Sequence, residues 1–214
     1  MTRSRHETAV QAVIFGTLGF RASLEVTDHP RSKSLCSQLL PWLKQLNFGT
    51  KIEPYHREIL ETPHGELPRE SQTEAYWRGE AAALLGWAIQ LFDKPHSTRP
   101  VDPGALVQNL MILLPNASEL ISGSSLRPKI EIDDYCAFCL TMRHRFLASA
   151  LGSEGQTAIN NILQNRLAEF GLSDAFQRVN GAELESLLAV TMPSVQGLYA
   201  VRALAAEWLL GKGE

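Results

Sequence analysis

The chain has 214 residues, 44% hydrophobic and 20% charged, with 20 Lys and Arg against 23 Asp and Glu and a net charge of -3. This length suffices for one large domain with a substantial core. Because the net charge is weakly negative, the protein lacks the basic field of chains that bind nucleic acid non-specifically. Nucleic acid is therefore not expected as a partner.

The N-terminal region does not fit a secretion signal. Its apolar stretch is interrupted by Gln11, Thr17 and Arg21. The longest apolar run, residues 81–92, has about twelve residues, whereas about twenty are needed to span a bilayer. We therefore expect a soluble, cytoplasmic protein with no membrane partner.

Three cysteines, an odd number, favour a reducing compartment over a disulfide framework. Cys136 and Cys139 have Cys-x-x-Cys spacing, but they lie inside a predicted helix and no second pair exists. Redox pairs normally lie at a helix N-terminus. Buried core thiols are the favoured interpretation, and metal binding together with His144 is a poorly aligned alternative.

Apolar residues recur at helical spacing along most of the chain. The pattern predicts helices, in chain order, at residues 9–18, 30–46, 52–60, 73–92, 103–114, 131–151, 156–170, 182–190 and 194–210. Residues 20–27 either extend the first helix or form a short strand. Residues 118–128 are expected to form a loop.

Several residues predict where individual helices begin, bend or end. Pro41 is expected to kink or divide the second helix. Ser71 and Glu74 have capping-box spacing, which predicts the start of the central helix. Asp102 followed by Pro103 predicts another helix start. Three glycines are plausible helix stops: Gly152, Gly171 and Gly211.

No internal repeat and no long alternating run typical of a sheet is present. The sequence therefore predicts an all-α (mainly α) fold, an irregular multi-helix bundle around a central buried helix, with at most a minor strand. We expect a single helical domain over residues 1–214, in which residues 1–50 are a possible N-terminal helical extension and residues 51–211 form the core.

The predicted central helix carries Arg78 and Glu80 among residues that are otherwise apolar or small. When the helix is projected at about 100° per residue, Arg78 and Glu80 fall between apolar positions. The remaining side consists of small residues that allow another helix to approach: Ala75, Gly79, Ala82, Ala83 and Gly86. A helix that is apolar or small all round is expected at the centre of a bundle.

Two other helices show the same anomaly, with Arg143 and Arg202 on apolar faces. Three arginines and one glutamate thus point inward, and two interpretations remain open. In the first, they form a structural ion network with Glu80, with acids such as Asp102, Asp133 or Asp134, or with backbone carbonyls. In the second, Arg78, Glu80, Arg143 and Arg202 line a pocket for a carboxylate or phosphate.

Other chemical motifs are weak. Glu53 to His56 and Glu61 to His64 have the Glu-x-x-His spacing of di-iron bundles, but Pro54 and Pro63 disrupt helix geometry in both copies. No phosphate-binding glycine loop, zinc-protease motif or nucleophile elbow occurs. We predict no metal site, no cofactor and no catalytic residue.

The order of four short motifs resembles that of a family of mostly bacterial proteins that share a domain of unknown function. The motifs are Trp77-Arg78-Gly79-Glu80-Ala81 with Leu85-Gly86-Trp87-Ala88, Leu126-Arg127-Pro128 with Glu131-Ile132, Leu140 with Arg143, Arg145 and Phe146, and Arg202 with Ala205, Trp208 and Leu209. The resemblance spans roughly residues 50–211. In the family pattern the last motif begins Glu-Arg-His, where this chain has Val201-Arg202-Ala203. The resemblance implies a helical domain and no particular activity.

The sequence favours a non-enzymatic interaction or accessory module. The alternative is a binding protein for a small anionic ligand, or an enzyme, with an arginine-lined pocket. A third possibility is an immunity-like partner of a toxin. A protein partner or a small anion is therefore the expected type of ligand.

Overall fold

The computed structural model describes residues 2–27, 29–151, 153–179, 181–188 and 193–211. These residues form helices and connecting segments and contain no strand, which confirms the predicted all-α class. In chain order the helices are α1 (Arg5–Val26), α2 (Ser32–Gln45), α3 (Pro54–Glu61), α4 (Arg69–Ala88), α5 (Pro103–Asn109), α6 (Ala117–Gly123), α7 (Lys129–Ser149), α8 (Ser153–Glu169), α9 (Ser173–Gln177), α10 (Gly181–Leu188) and α11 (Pro193–Leu209), with a 3-10 turn at Gly49–Lys51.

The chain divides into two compact units. The N-terminal unit consists of Ser4–Pro95 and Pro100–Ser125, and the C-terminal unit consists of Met1–Arg3, His96–Arg99 and Leu126–Glu214. In the N-terminal unit α1 packs chiefly along α4. In the C-terminal unit α7 is the helix against which α8, α9, α10 and α11 pack.

Helix α1 confirms that residues 20–26 extend the first helix. Its start is capped by Ser4 and Glu7, which form a reciprocal capping box. By length and mean hydropathy α1 could cross a membrane, yet 78% of its apolar window is buried inside the protein. A buried core helix can meet the same criteria of length and mean hydropathy.

The predicted start of the central helix is wrong. Helix α4 begins at Arg69, after Pro68 as N-cap, and no side chain caps it. Proline fits just before a first helical turn because that turn needs no N–H from it. Glu74 bonds to Arg78 one turn later.

The helix also ends before residues 91–92. Gln90 has a φ of 64°, which terminates the helix, and Phe92 folds back over Gly86. Residues 79–89 are nonetheless all buried, as predicted for the centre of a bundle.

Other helix boundaries also differ from the predictions. Helix α2 continues through Pro41 and is not divided there. Pro41 itself is exposed to solvent. Residues 117–123 are helical where a loop was predicted, and α9 was not predicted at all. Gly171 and Gly211 have positive φ angles, as expected of helix stops. Gly152 lies outside the described residues.

Two glycines bring α1 and α4 into backbone contact. A Cβ atom added to Gly19 would lie 2.8 Å from the Gly79 Cα atom and 3.0 Å from its backbone nitrogen. Backbone atoms cannot move aside as a flexible side chain can, so position 19 requires glycine. Gly79 thereby fulfils the prediction that the small side of α4 admits another helix.

Gly19→Ala is expected to lower the free energy of unfolding by about 2 kcal/mol, because the added methyl group must separate the two helices. The better helix propensity of alanine offsets only about 1 kcal/mol of that cost. Chemical denaturation followed by circular dichroism measures the change. The matched control is Gly123→Ala, since a Cβ there meets no atom within 4 Å. Equal stability of Gly19→Ala and Gly123→Ala would contradict the close contact.

Candidate functional site

The four predicted site residues fall into different units. Arg78 and Glu80 lie on α4 in the N-terminal unit, whereas Arg143 on α7 and Arg202 on α11 lie in the C-terminal unit. Each unit is therefore described by itself. A single cluster of all four residues stays a prediction.

Arg78 is only partly buried, with 30% of its side chain exposed. Its Nη2 atom donates to Glu74 Oε1 over 2.9 Å, one turn earlier on α4. Its guanidinium also lies over the ring of Phe15 on α1, 5.0 Å from the centroid. The Nε atom is buried and makes no hydrogen bond. Arg78 thus joins α4 to α1 by a cation–π contact while its charge is balanced locally.

His56 on α3 lies at the same face of α1. It is 1% exposed, and its ring meets Phe15 edge-on at a centroid distance of 5.7 Å. Nδ1 is 3.4 Å from a Glu53 carboxylate oxygen, and neither ring nitrogen makes a hydrogen bond. Burial, and then the charge of Arg78, lower the pKa of His56, while Glu53 and Glu74 act in the opposite direction. The neutral imidazole is therefore the form that folding favours.

Glu80 is 1% exposed and accepts a hydrogen bond from the backbone N–H of Val101. Val101 directly precedes Asp102, whose side chain caps α5 by accepting from the Gly104 N–H. The Glu80 carboxylate therefore fixes the entry of the chain into α5. Burial, followed by the negative charge of Glu80, raises the pKa of Tyr76.

Arg21 is a buried charge that the sequence interpretation missed. It is completely buried on α1, its Nη1 atom pairs with Glu25, and its Nη2 atom donates to the Thr62 carbonyl over 2.9 Å. Glu25 in turn accepts from the Gly65 N–H over 2.9 Å. The pair holds the segment after α3 against α1. Its position inside an apolar helix was the available signal, but it was interpreted only as an interruption of a possible secretion signal.

Arg202 fulfils the prediction of an inward-facing arginine. It is completely buried, donates to the His96 carbonyl over 2.9 Å, and lies 5.6 Å from the ring centroid of Tyr199. The pKa of Tyr199 is raised, mainly by burial and then by Cys139, and Arg202 opposes the shift. Arg202 thus links α11 to His96 through a backbone carbonyl.

Arg143 is half-buried, with its side chain 32% exposed, and lies 3.7 Å from Glu207 on α11. The adjacent His144 is buried, and its Nδ1 atom contacts the Leu140 carbonyl at 2.8 Å. The half-buried arginines thus have different acidic partners: Arg78 pairs with Glu74, and Arg143 pairs with Glu207.

The acids that the sequence suggested as partners have other contacts. Asp102 caps α5, Asp133 pairs with Lys129, and Asp134 bonds to Arg178 over 2.6 Å. Arg178 and Asp134 lie at the surface, where such a pair contributes little to stability.

The other candidate motifs have structural surroundings. The three cysteines are buried and form no disulfide, and burial raises the pKa of Cys136 well above its usual value. His64 Nε2 contacts the Leu24 carbonyl at 3.0 Å. Within the described ranges no group of three or more His, Cys, Asp or Glu side chains is placed to hold a metal. Core thiols are thus the correct interpretation of the Cys-x-x-Cys spacing.

Arg202→Met is expected to lower the free energy of unfolding by about 2 kcal/mol, because the part-buried hydrogen bond from the guanidinium to the His96 carbonyl is lost. Thermal and chemical denaturation measure the change. Arg145→Met is the control, since Arg145 is 42% exposed and lies 3.8 Å from Glu185. We expect the control to cost less than about 1 kcal/mol. A fully stable Arg202→Met variant would contradict the role assigned to Arg202.

His56 is expected to make stability fall in acid. Its folded-state pKa lies below the ordinary value of about 6.5, so the unfolded chain binds more protons once the pH falls below that value. Stability is therefore retained above about pH 6.5 and lost as the pH falls from there toward the lowered pKa.

His56→Gln should flatten this dependence when unfolding free energies are compared between about pH 7.5 and 5.5. The exposed His29, replaced by Gln, is the control. An unchanged difference in His56→Gln would show that the group does not contribute to acid sensitivity.

Compared with known protein families, with curated proteins and with solved structures, the chain gives no match. The relationship to the mostly bacterial family accordingly stays a prediction from the four motifs. The function must be inferred from the residues of this chain.

Proposed function

We propose that the protein is a non-enzymatic interaction module that binds a partner protein through the outer surface of α8. The observation that carries this proposal is the absence of charge from a long, exposed part of that helix. Residues 155–165 contain no Asp, Glu, Lys or Arg, although 20% of the whole chain is charged.

The exposure of α8 supports this assignment. Two leucines, Leu163 and Leu167, are buried and attach the helix to its unit. The residues exposed to solvent between positions 155 and 165 carry amide, hydroxyl, small or apolar side chains. They are Gln156, Thr157, Ala158, Asn160, Asn161, Ile162, Gln164 and Asn165. Ile162 alone leaves 49% of its surface in contact with solvent.

The composition of this surface fits a protein interface better than an ordinary solvated face. Charged residues other than Arg are depleted from the cores of interfaces because burying them costs desolvation energy. Amide side chains can exchange hydrogen bonds with water for hydrogen bonds with a partner at little cost. Leu147 and Leu151, near the end of α7, are also about half exposed (48% and 46%) and add apolar area to this unit.

The contacts of the inward arginines support a structural role for them. Arg202 reaches a carbonyl, and Arg78 and Arg143 meet carboxylates of their own units. A pocket built from Arg78, Glu80, Arg143 and Arg202 for an anionic ligand is therefore the weaker proposal. Inhibition of a toxin remains one form that protein binding could take.

We further propose a cytoplasmic location and membership of the mostly bacterial family. Three buried cysteines that form no disulfide support a reducing compartment. The order of the four motifs supports the family, and the helical fold agrees with it.

A photo-crosslinking residue at Asn161 tests the proposed surface in the organism that encodes the protein. We expect it to capture a partner, which mass spectrometry identifies and which is then purified for calorimetric titration. Ile162→Asp should weaken binding by at least about tenfold, because the interface must desolvate a new charge.

Ile130→Asp is the matched control, since Ile130 is exposed to 56% in the same unit but lies on α7. It should bind the purified partner as tightly as the wild type. Light scattering distinguishes self-association from binding of a different protein. No crosslink from position 161, or equal binding by Ile162→Asp, would refute the assignment of α8.

A further inference from the structure

A polar groove lies in the N-terminal unit, between the end of α2 and α3. It is open to solvent, has a volume of about 420 Å³ and is lined by Lys44, Asn47, Gly49, Thr50 and Arg57. Volumes of roughly 300 to 1,000 Å³ are typical of sites for small molecules. The groove is separate from α8 and contains none of the residues predicted from the sequence as ligand-binding.

The charged residues that line the groove are all positive. Lys44 and Arg57 are cationic, and no acid belongs to the lining. Glu58 follows Arg57 directly and Glu61 lies one turn later on α3, but neither belongs to the lining. The Glu53 carboxylate lies 3.4 Å from His56. In the described part of the chain Lys44 makes no ion pair. The lining therefore carries two positive charges and no carboxylate.

The rim of the groove is held in place by backbone hydrogen bonds. Asn47, with a φ of 63°, reverses the chain after α2, and its N–H donates to the Lys44 carbonyl over 3.0 Å. The Phe48 N–H donates to the Leu43 carbonyl over 2.9 Å. These hydrogen bonds fix the shape of the rim.

Both cations are also held against this rim. Arg57 Nη2 donates to the Gly49 carbonyl over 2.8 Å, which fixes the guanidinium and leaves other N–H donors of its fork for a ligand. Gly49 lies under the stem of Lys44, since a Cβ there would be 3.2 Å from Lys44 Cγ. The ammonium therefore extends from a supported stem.

We propose that this groove binds the phosphate group of a small molecule. Arg57 supplies a planar fork that matches phosphate oxygens, and Lys44 supplies a compact positive charge. The Asn47 amide and the Thr50 hydroxyl add neutral donors. The volume accommodates either free phosphate or a phosphate monoester, and both present the same oxygens to the two cations.

Titration of the full-length protein tests the proposal, with inorganic phosphate and with glycerol 1-phosphate as probes at constant ionic strength. The amide signals of Gly49 and Thr50 in proton–nitrogen correlation spectra should shift and saturate in the millimolar range. Tighter binding of glycerol 1-phosphate would assign the groove to monoesters, and equal binding would assign it to the free ion.

Lys44→Gln should weaken binding of both probes by about tenfold, because a charge-assisted contact is lost. Lys33→Gln is the matched control, since Lys33 is an exposed lysine on the same helix. Circular dichroism verifies that each variant is folded. Lys44, which makes no ion pair within the described ranges, is the informative position even if Arg57→Gln fails to fold. Unshifted Gly49 and Thr50 signals, or equal binding by the wild type and Lys44→Gln, would overturn the proposal.

Discussion

The contact between the backbones of α1 and α4 at Gly19 and Gly79 is the constraint on which the N-terminal unit depends. Helix axes approach this closely only where neither residue has a side chain. Because the helices touch at Gly79, the side chains that precede and follow it project to either side of the contact. Arg78 lies over Phe15 of α1, and Glu80 bonds to the backbone before α5. The positions of these two charged side chains thus follow from the packing of α4 against α1.

Buried charge has one physical role in both units. Arg21 and Arg202 are completely buried, and each donates to a backbone carbonyl of a segment that lacks regular helical hydrogen bonding. An arginine can satisfy several such carbonyls at once because its donors are spread over a planar fork. These residues therefore fix connecting segments to helices.

Neither of the two proposed binding surfaces contains the inward arginines. Lys44 and Arg57 face a groove that contains no acid, whereas Arg78 and Arg143 meet carboxylates. The exposed surface of α8 differs again, because it carries amides rather than charges over eleven consecutive residues, 155–165. A phosphate group and a protein surface are different ligands, and the two proposals depend on different residues.

The sequence by itself determined the fold class, the buried second half of α4 and the inward direction of Arg202, because these follow from helical periodicity within one segment. Capping at Pro68 was misjudged, since the Ser71 and Glu74 spacing imitates a helix start inside a helix. Only the tertiary structure decided what each charge contacts. Arg57 donates to the carbonyl of Gly49, eight residues away in sequence, whereas Arg202 donates to the carbonyl of His96, 106 residues away. Periodicity reports which way a side chain points, but its partner on another segment depends on how the helices pack.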